Sequence, residues 1–565
     1  MIRHVTPLVV VAAALAVQLG CGGGSAPPAG TATKEAGGEA AYPRDALVVA
    51  YQSDLGVLNP IVYETAADNY VLSNIMEPAM DSQFDCELTH TPRLFESWTW
   101  SDDGLEFKVK LREDITYDDG VKVTAKDVAL AYELVRDPGV ASPRSAYTEK
   151  MVDGYPKATG EFEVTFRYTK AGDRISLMSQ AALGYLPSHV FGELTSEERT
   201  KLRGHPKSND PLVSGPWRLK LHEKNTRFVL EPNGKYTGPV SLHPKLKRVV
   251  FSIIPEYATR LNSLINGDVD LMEGINIEDV DRIKSDHPDI RIYSRGYRTS
   301  DYLAWNTRLP QFADAEVRRA LTMAIDIDDI MKKLIAGTDG TVYAKRSVST
   351  VTPELCKVHA DEVTPLPHDA EQAKAILASK GWTDSDGDGI LDKDGKPFRF
   401  TLATNSGNKR RADASILMQA HLKRIGIDAQ LEQRESNTFF EDLRERNFEA
   451  ALAGWSAALF VDPSDVWSCE TDEIKRPFNF TGFCNPEVDA LIEKGLAMQD
   501  PDEAVAIWKQ VQELIYRDQP YTFLWWREEL VGLHSRFEHV GIDVLSLLSH
   551  LEQWEVPADK VKYTR

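Results

Sequence analysis

From Leu47 onward, apolar runs of strand length alternate with amphipathic stretches in which apolar residues return every three or four positions. The spacing predicts strands at Ala46 to Tyr51, Phe107 to Leu111, Phe162 to Tyr168 and Lys247 to Ile254. It predicts helices at Ala125 to Val135, Ala258 to Asn266, Val317 to Ile335 and Ala412 to Ile425. Gly426 closes the last of these as a C-cap, and a strand follows at Asp428 to Gln433. This is an α/β pattern without a repeat of fixed period. The ~520 residues from residue 45 onward exceed one hydrophobic core, and at ~100 to 200 residues per domain they predict two or three structural units.

The start of the chain reads differently. Arg3 precedes an almost wholly apolar run from Leu8 to Leu19, ended by Gly20 and Cys21. A spanning helix needs ~20 apolar residues, so this shorter run reads as a signal peptide. Leu19, Gly20 and Cys21 fit a lipobox, whereas Gln18 stands where an aliphatic residue is usual. Cys21 is therefore expected to become a lipidated N-terminus, the alternative being ordinary secretion with Cys21 free. Residues 22–44 are small, flexible and aperiodic, which suits a tether. No later run approaches a membrane span, so a soluble body anchored by lipid outside the cytoplasmic membrane of a bacterium is expected.

A formal charge of −21 repels phosphate backbones, and no basic, aromatic-rich stretch offsets it, which argues against nucleic acid as a partner. With Cys21 lipidated, four cysteines remain in a compartment that permits disulfides. Cys469 and Cys484 are close in sequence, with Pro477 and Gly482 breaking the segment between them, so that loop closes readily. Cys86 and Cys356 then pair across a long separation or stay as buried thiols. Gly-x-Ser-x-Gly, His-Glu-x-x-His, a phosphate-binding glycine loop and Cys-x-x-Cys are all missing beyond the leader, so the sequence offers no enzyme motif.

Several blocks carry a resemblance. Thr91 to Trp100 is followed by Ser-Asp-Asp-Gly-Leu-Glu-Phe, and then by Leu111 to Val128 with its Asp118-Asp119-Gly120 turn and Thr124 before a helix. Val213-Ser-Gly-Pro-Trp217, Ala258 to Asp270, Tyr302 to Thr307, Val317 to Asp326 and Ile425-Gly-Ile427 continue in order. Together these resemble the family 5 extracellular solute-binding proteins, the peptide and nickel type of ABC-transporter receptor. The resemblance implies an α/β, two-lobed periplasmic-binding-protein fold with a cleft between hinged lobes. Residues 45–300, including an extra subdomain, and 520–565 would form lobe I, and residues 301–519 lobe II. It further implies a monomeric, non-enzymatic lipoprotein that captures a peptide or similar small solute, or alternatively an oligosaccharide or other polar non-peptide ligand, and presents it to a permease and ATPase complex. A sensor without a transport role is the alternative.

The same resemblance directs attention to Ala451 to Ser464. In peptide-binding relatives an aspartate after Gly-Trp pairs with the ligand's α-ammonium, but the matching position here is Ala458. Trp455 and Asp462 remain as ligand-binding candidates, with Asp465 as another acid in reach. Asn306, Tyr302 and Trp305 join them from the Tyr302 to Thr307 block, and Trp525 and Trp526 lie near the second crossing. No cofactor is required. Asp384, Asp386, Asp388 and Asp392 are spaced like the start of a calcium loop, with Gly395 where the bidentate glutamate belongs. Structural calcium and a plain Asp-Gly turn leading to a strand at Phe398 to Ala403 are the two readings.

Overall fold

Ala46–Tyr51 forms the first strand, β1, and every residue of it is buried. Such two-sided burial explains why this run is continuously apolar and not alternating. The computed structural model describes residues 46–560 except 85, 87, 458–460, 472–475 and 477, so the leader, Cys21, the tether and Ala458 lie outside the described residues. Among the described residues, no helix is long and apolar enough to cross a membrane.

Met80–Phe84 (β2) and Leu88–Pro92 (β3) pair as a two-stranded hairpin. Phe95–Trp100 (β4), Glu106–Leu111 (β5), Lys157–Ala158 (β6) and Glu163–Arg167 (β7) build a four-stranded antiparallel sheet. Next come Trp217–Glu223 (β8), Arg227–Pro232 (β9), Arg248–Ile253 (β10), Leu271–Glu273 (β11), Ile290–Trp305 (β12) and Ala344–Arg346 (β13). Asp392–Lys393 (β14) and Lys396–Pro397 (β15) form a short hairpin ahead of Arg399–Asn405 (β16), Asp428–Arg434 (β17), Ala450–Ser456 (β18) and Tyr521–His534 (β19). The main sheet runs β17-β16-β18-β12-β19-β11-β1-β10-β9-β8, with β13 added on β19.

Two strands in that order serve both halves of the sheet. Ile290–Ser294 of β12 pairs with the end of β19, which meets β11 on its other side. The later part of β12 pairs with β18 on one side and with the start of β19 on the other. Between these parts the ladder slips, at Ser294/Tyr297 and again at Tyr297/Thr299, and Gly296 there takes φ +76°. Such a break in pairing is where a long strand bends most easily. The expected lobe borders at 300/301 and 519/520 fall beyond this slip on β12 and just before β19.

The buried apolar residues form distinct cores on either side of the slip. One includes Leu47, Phe107, Phe166, Trp217, Phe251, Leu533 and Trp554, and defines the first lobe. Another includes Tyr302, Ala453, Trp467, Phe483, Trp508 and Phe523, in the second lobe. Most predicted elements stand within a residue or two of their expected ends. The single helix expected at Val317 to Ile335 is instead two, Ala315–Ala324 and Ile327–Leu334. Asp326 interrupts it by accepting the Asp329 amide at 2.9 Å, a side-chain cap that starts a new helix. Gly426 does end the helix Lys409–Arg424, at φ +81°. Cys469 is bonded to Cys484 and Cys86 to Cys356, with Cα separations of 4.5 and 4.9 Å.

Candidate functional site

The two faces of the β12-β18-β19 ladder carry different chemistry. On one face, register places Trp455 beside Ser300, and Ala453 and Phe523 beside Tyr302. Tyr302 is buried and stacks on Tyr521 at 4.0 Å between ring centres. Trp455 lies nearly parallel to Phe480 at 5.3 Å and also stacks with Tyr302 at 5.9 Å. It stays half-buried, next to the exposed ring of Phe478. The result is a rigid aromatic shelf where β18 ends, suited to an apolar part of a ligand.

On the opposite face, Asp301 is paired with Gly454 and Trp525. Its carboxylate is 3 % exposed and accepts from Arg410 Nε and Nη2 at 3.0 and 2.9 Å, Arg411 Nε at 2.9 Å and Trp525 Nε1 at 2.9 Å. Burial pushes its pKa up, but Arg410 and Arg411 outweigh burial and hold the carboxyl below the usual aspartate value. Gly454 makes room for this: a Cβ there would sit 2.3 Å from Arg411 Nη2 and 2.5 Å from the Ser300 carbonyl. Arg527 follows two residues after Trp525 on β19 and so projects to the same side. Burial, and after it the neighbouring Arg410, lower its pKa, and its Nε is buried without a hydrogen-bond acceptor. Nearby Glu529 is engaged by Arg298 at 3.2 Å and Arg295 at 3.5 Å. Arg410 and Arg411 thus take up Asp301, and Arg527 beside them makes no ion pair among the described residues, leaving partly buried positive charge suited to an anionic group.

The expected site residues fall into separate places. Asp462 meets Lys150 of the first lobe at 3.1 Å and accepts the Ser464 amide at 3.2 Å. Burial raises its pKa, yet Lys150 and Ser464 prevail and keep it below the ordinary value. Asp465 faces Arg476 at 3.4 Å. Trp305 is withdrawn from the cleft: it is fully buried between Phe312 and Phe400, and its Nε1 donates to Thr522 Oγ1 at 3.1 Å. The Asn306 side chain is likewise occupied, donating to the carbonyls of Arg446 and Phe448. Trp526 is fully buried on the face opposite Trp525.

Sequence reasoning passed over Asp301, Arg410, Arg411, Arg527 and Lys150. One signal was available: Lys409, Arg410 and Arg411 fill the first turn of a helix, the end whose dipole disfavours cations. Of the expected calcium ligands, Asp384, Asp386 and Asp388 lie within 4.8 Å of one another, all exposed. Asp392 is turned away from them and accepts from the Ser385 amide and hydroxyl. Asp384 and Asp388 also accept nearby backbone amides, as turn aspartates do.

The profile of the bacterial extracellular solute-binding proteins, family 5 (middle region), matches residues 89–474. The oligopeptide-binding protein AppA of Bacillus subtilis is 29 % identical over 465 residues, 82 % of either chain. The nickel-binding periplasmic protein of Escherichia coli is 25 % identical over 84 % of this chain and 88 % of its own. The solved structure of B. subtilis AppA in complex with a nonapeptide superposes with a TM-score of 0.69 at 26 % identity, covering 91 % of this chain and 99 % of that one. NikA from Brucella suis in complex with Fe(III)-EDTA reaches 0.75 at 21 % identity, a likeness of fold, over 91 % of this chain and all of the other. The fold is therefore the type II periplasmic-binding-protein fold of the peptide and nickel class. With the matched region spanning well over half of its length, the chain belongs to the bacterial extracellular solute-binding proteins, family 5.

Proposed function

We propose that this chain is the substrate-binding lipoprotein of an ABC importer, held outside the membrane through Cys21. It captures a peptide or similar small solute between two hinged lobes and presents it to the permease. The observation that carries this reading is the cationic excess around Asp301 beside the slipped stretch of β12 and β19. A solute with a carboxylate matches that face, whereas the aromatic shelf, on the opposite face of the same ladder, offers an apolar surface of its own. Its anionic end would complete the hydrogen bonding of Arg527 and its neighbours, and it would favour closure by touching both lobes.

Among such solutes, the acids near the end of β18 disfavour anchoring by a free α-ammonium. Asp462 is taken by Lys150, Asp465 by Arg476, and Ala458 has no charge to offer. An N-blocked peptide or a non-peptide acid therefore stands beside the unmodified peptide as ligand. Native mass spectrometry of the purified chain tests this: a co-purified acidic solute is expected, and a tightly held ligand without an anionic group would overturn the charge argument. Anchoring has its own test, in which Cys21→Ser loses lipid labelling and leaves the membrane fraction.

A further inference from the structure

The two lobes are joined by more than their hinge strands. Cys86 lies at the turn between β2 and β3, in a hairpin rooted in the first lobe. Met80 at its base belongs to the first lobe's core, and Arg93 just beyond it donates to Glu77 at 2.8 Å. Cys356 lies in the segment after β13, which is clamped to the second lobe. Val348 and Val358 pack in that lobe's core, Ser349 donates to Gln512 Oε1 at 2.8 Å, and Trp467 Nε1 donates to Thr350 Oγ1 at 3.0 Å. The disulfide therefore runs from one lobe to the other, whereas Cys469–Cys484 closes a loop inside the second.

Its position relative to the hinge follows from its neighbours. Two residues before Cys356, the Glu354 carboxylate accepts the amide of Tyr297 at 2.8 Å, and Thr352 Oγ1 donates to the Tyr297 carbonyl at 2.8 Å. Tyr297 is the residue at which the β12–β19 ladder slips. We infer that the Cys86–Cys356 bond is a third, covalent crossing beside the hinge strands, which limits how far and about which axis the lobes part. Two adjacent strands alone can both bend and twist; a third link set off from them removes twist and stops wide opening once the hairpin is taut. Among the described residues, other side-chain contacts across the lobes include the partly exposed Lys150–Asp462 pair, the hydrogen bonds of Gln499 to Arg174 and Asp103, Lys284 to Tyr343 at 2.8 Å and Thr338 to Asp281, none of them covalent.

This inference rests on the proposed hinged capture, and its test separates the two. Nitroxide labels on exposed helix positions, Lys126→Cys in the first lobe and Ala375→Cys in the second, report the distance between lobes by pulsed electron resonance in the Cys21→Ser chain. With no ligand added, Cys86→Ser/Cys356→Ser is expected to show a broader distribution shifted to longer distances than the disulfide-bonded protein. Equal distributions, or both cysteines alkylated in the unreduced starting protein, would overturn the inference. Should the double variant fold poorly, Cys86→Ala/Cys356→Val gives the same reading, since it too leaves no free thiol at either position for the label. A tryptic casein digest added to both proteins then tests the hinge separately: shortening in neither counts against hinged peptide capture and leaves the unliganded comparison standing.

Discussion

Two buried acids show how this fold uses charge in different ways. Asp270, just ahead of β11, is 2 % exposed and binds Arg536 through both oxygens at 3.0 and 2.8 Å, while also accepting the Val48 amide. Arg536 in turn donates to the Ala46 carbonyl, so one acid and one base together fasten the start of the described chain to the segment just after β19. Asp301, on β12, is as deeply buried but faces Arg410, Arg411 and, beyond them, Arg527. The first cluster is balanced and complete. The second has more cation than its acid can satisfy, and it lies by the hinge. A balanced buried pair fits a structural clamp, whereas an unbalanced one stores unfavourable energy that a ligand of the right sign relieves.

Removing the acid from each cluster should separate these roles most clearly. Asp270→Ala and Asp301→Ala each strand buried guanidinium charge, and each should lose ~3–5 kcal/mol in urea unfolding. Sulfate at moderate concentration should restore part of the loss for Asp301→Ala, because that site admits an anion, and none for Asp270→Ala. Equal rescue of both would erase the distinction.

Removing a base should cut the other way. Arg536→Gln breaks a complete pair and should again cost ~3–5 kcal/mol. Arg527→Gln removes a guanidinium whose charged form burial already disfavours and which makes no ion pair among the described residues, so unliganded stability should hold or rise. Affinity for the solute identified by mass spectrometry should nevertheless fall at least about tenfold by calorimetry, a change of ~1.4 kcal/mol. Stability lost with affinity unchanged would make Arg527 a structural residue.

These clusters also show which parts of the molecule its sequence reveals. Elements set by local patterns were legible: the helix beginning at Ala125, with the Asp127 carboxylate on the Thr124 amide, and the turn at Gly120 with φ +90° are written in adjacent residues. The long helix expected at Val317 to Ile335 misled because its apolar spacing continues through Asp326, whose capping side chain decides the break. Site residues were harder, since their orientation depends on partners far away in sequence. Tyr302 and Trp305 lie on one strand, but alternation sends them to opposite faces, and only pairing with β18 and β19 shows what each face meets. The Asp301 cluster draws on positions 301, 410, 411 and 527, which no short motif joins.

A smaller effect belongs to the contact between lobes. Lys150–Asp462 is partly exposed, so Lys150→Ala should cost no more than ~1 kcal/mol of closed-state stability. The sign of its pH dependence follows from the lowered Asp462 pKa. The contribution is fully present above the ordinary aspartate value of 3.8 and is lost as pH falls below it through the folded value. Interlobe distances measured between pH 3 and 6 should therefore widen only at the acid end, and less so in Asp462→Asn. Widening centred near pH 6 would assign the latch to a histidine.

The smallest expected effect tests whether imbalance matters when it is not buried. Asp384, Asp386 and Asp388 converge without a basic partner among the described residues, yet all three are exposed and water screens their repulsion. We propose that calcium binds there only weakly, as a brace for the turn leading to β16, because Gly395 supplies no bidentate carboxylate and Asp392 is held by Ser385. A site with a dissociation constant of ~1 mM, at about 10 mM calcium, adds ~1.4 kcal/mol to the folded state. In a chain of this size that moves the melting midpoint by roughly 1–2 °C. Asp386→Ala should abolish the shift, and magnesium should not reproduce it. A wild-type midpoint indifferent to calcium and to EDTA would return the segment to a plain Asp-Gly turn. A shift several times larger would mean that an exposed cluster can rival the buried one at Asp301, against the view that burial is what gives an unpaired charge its energy.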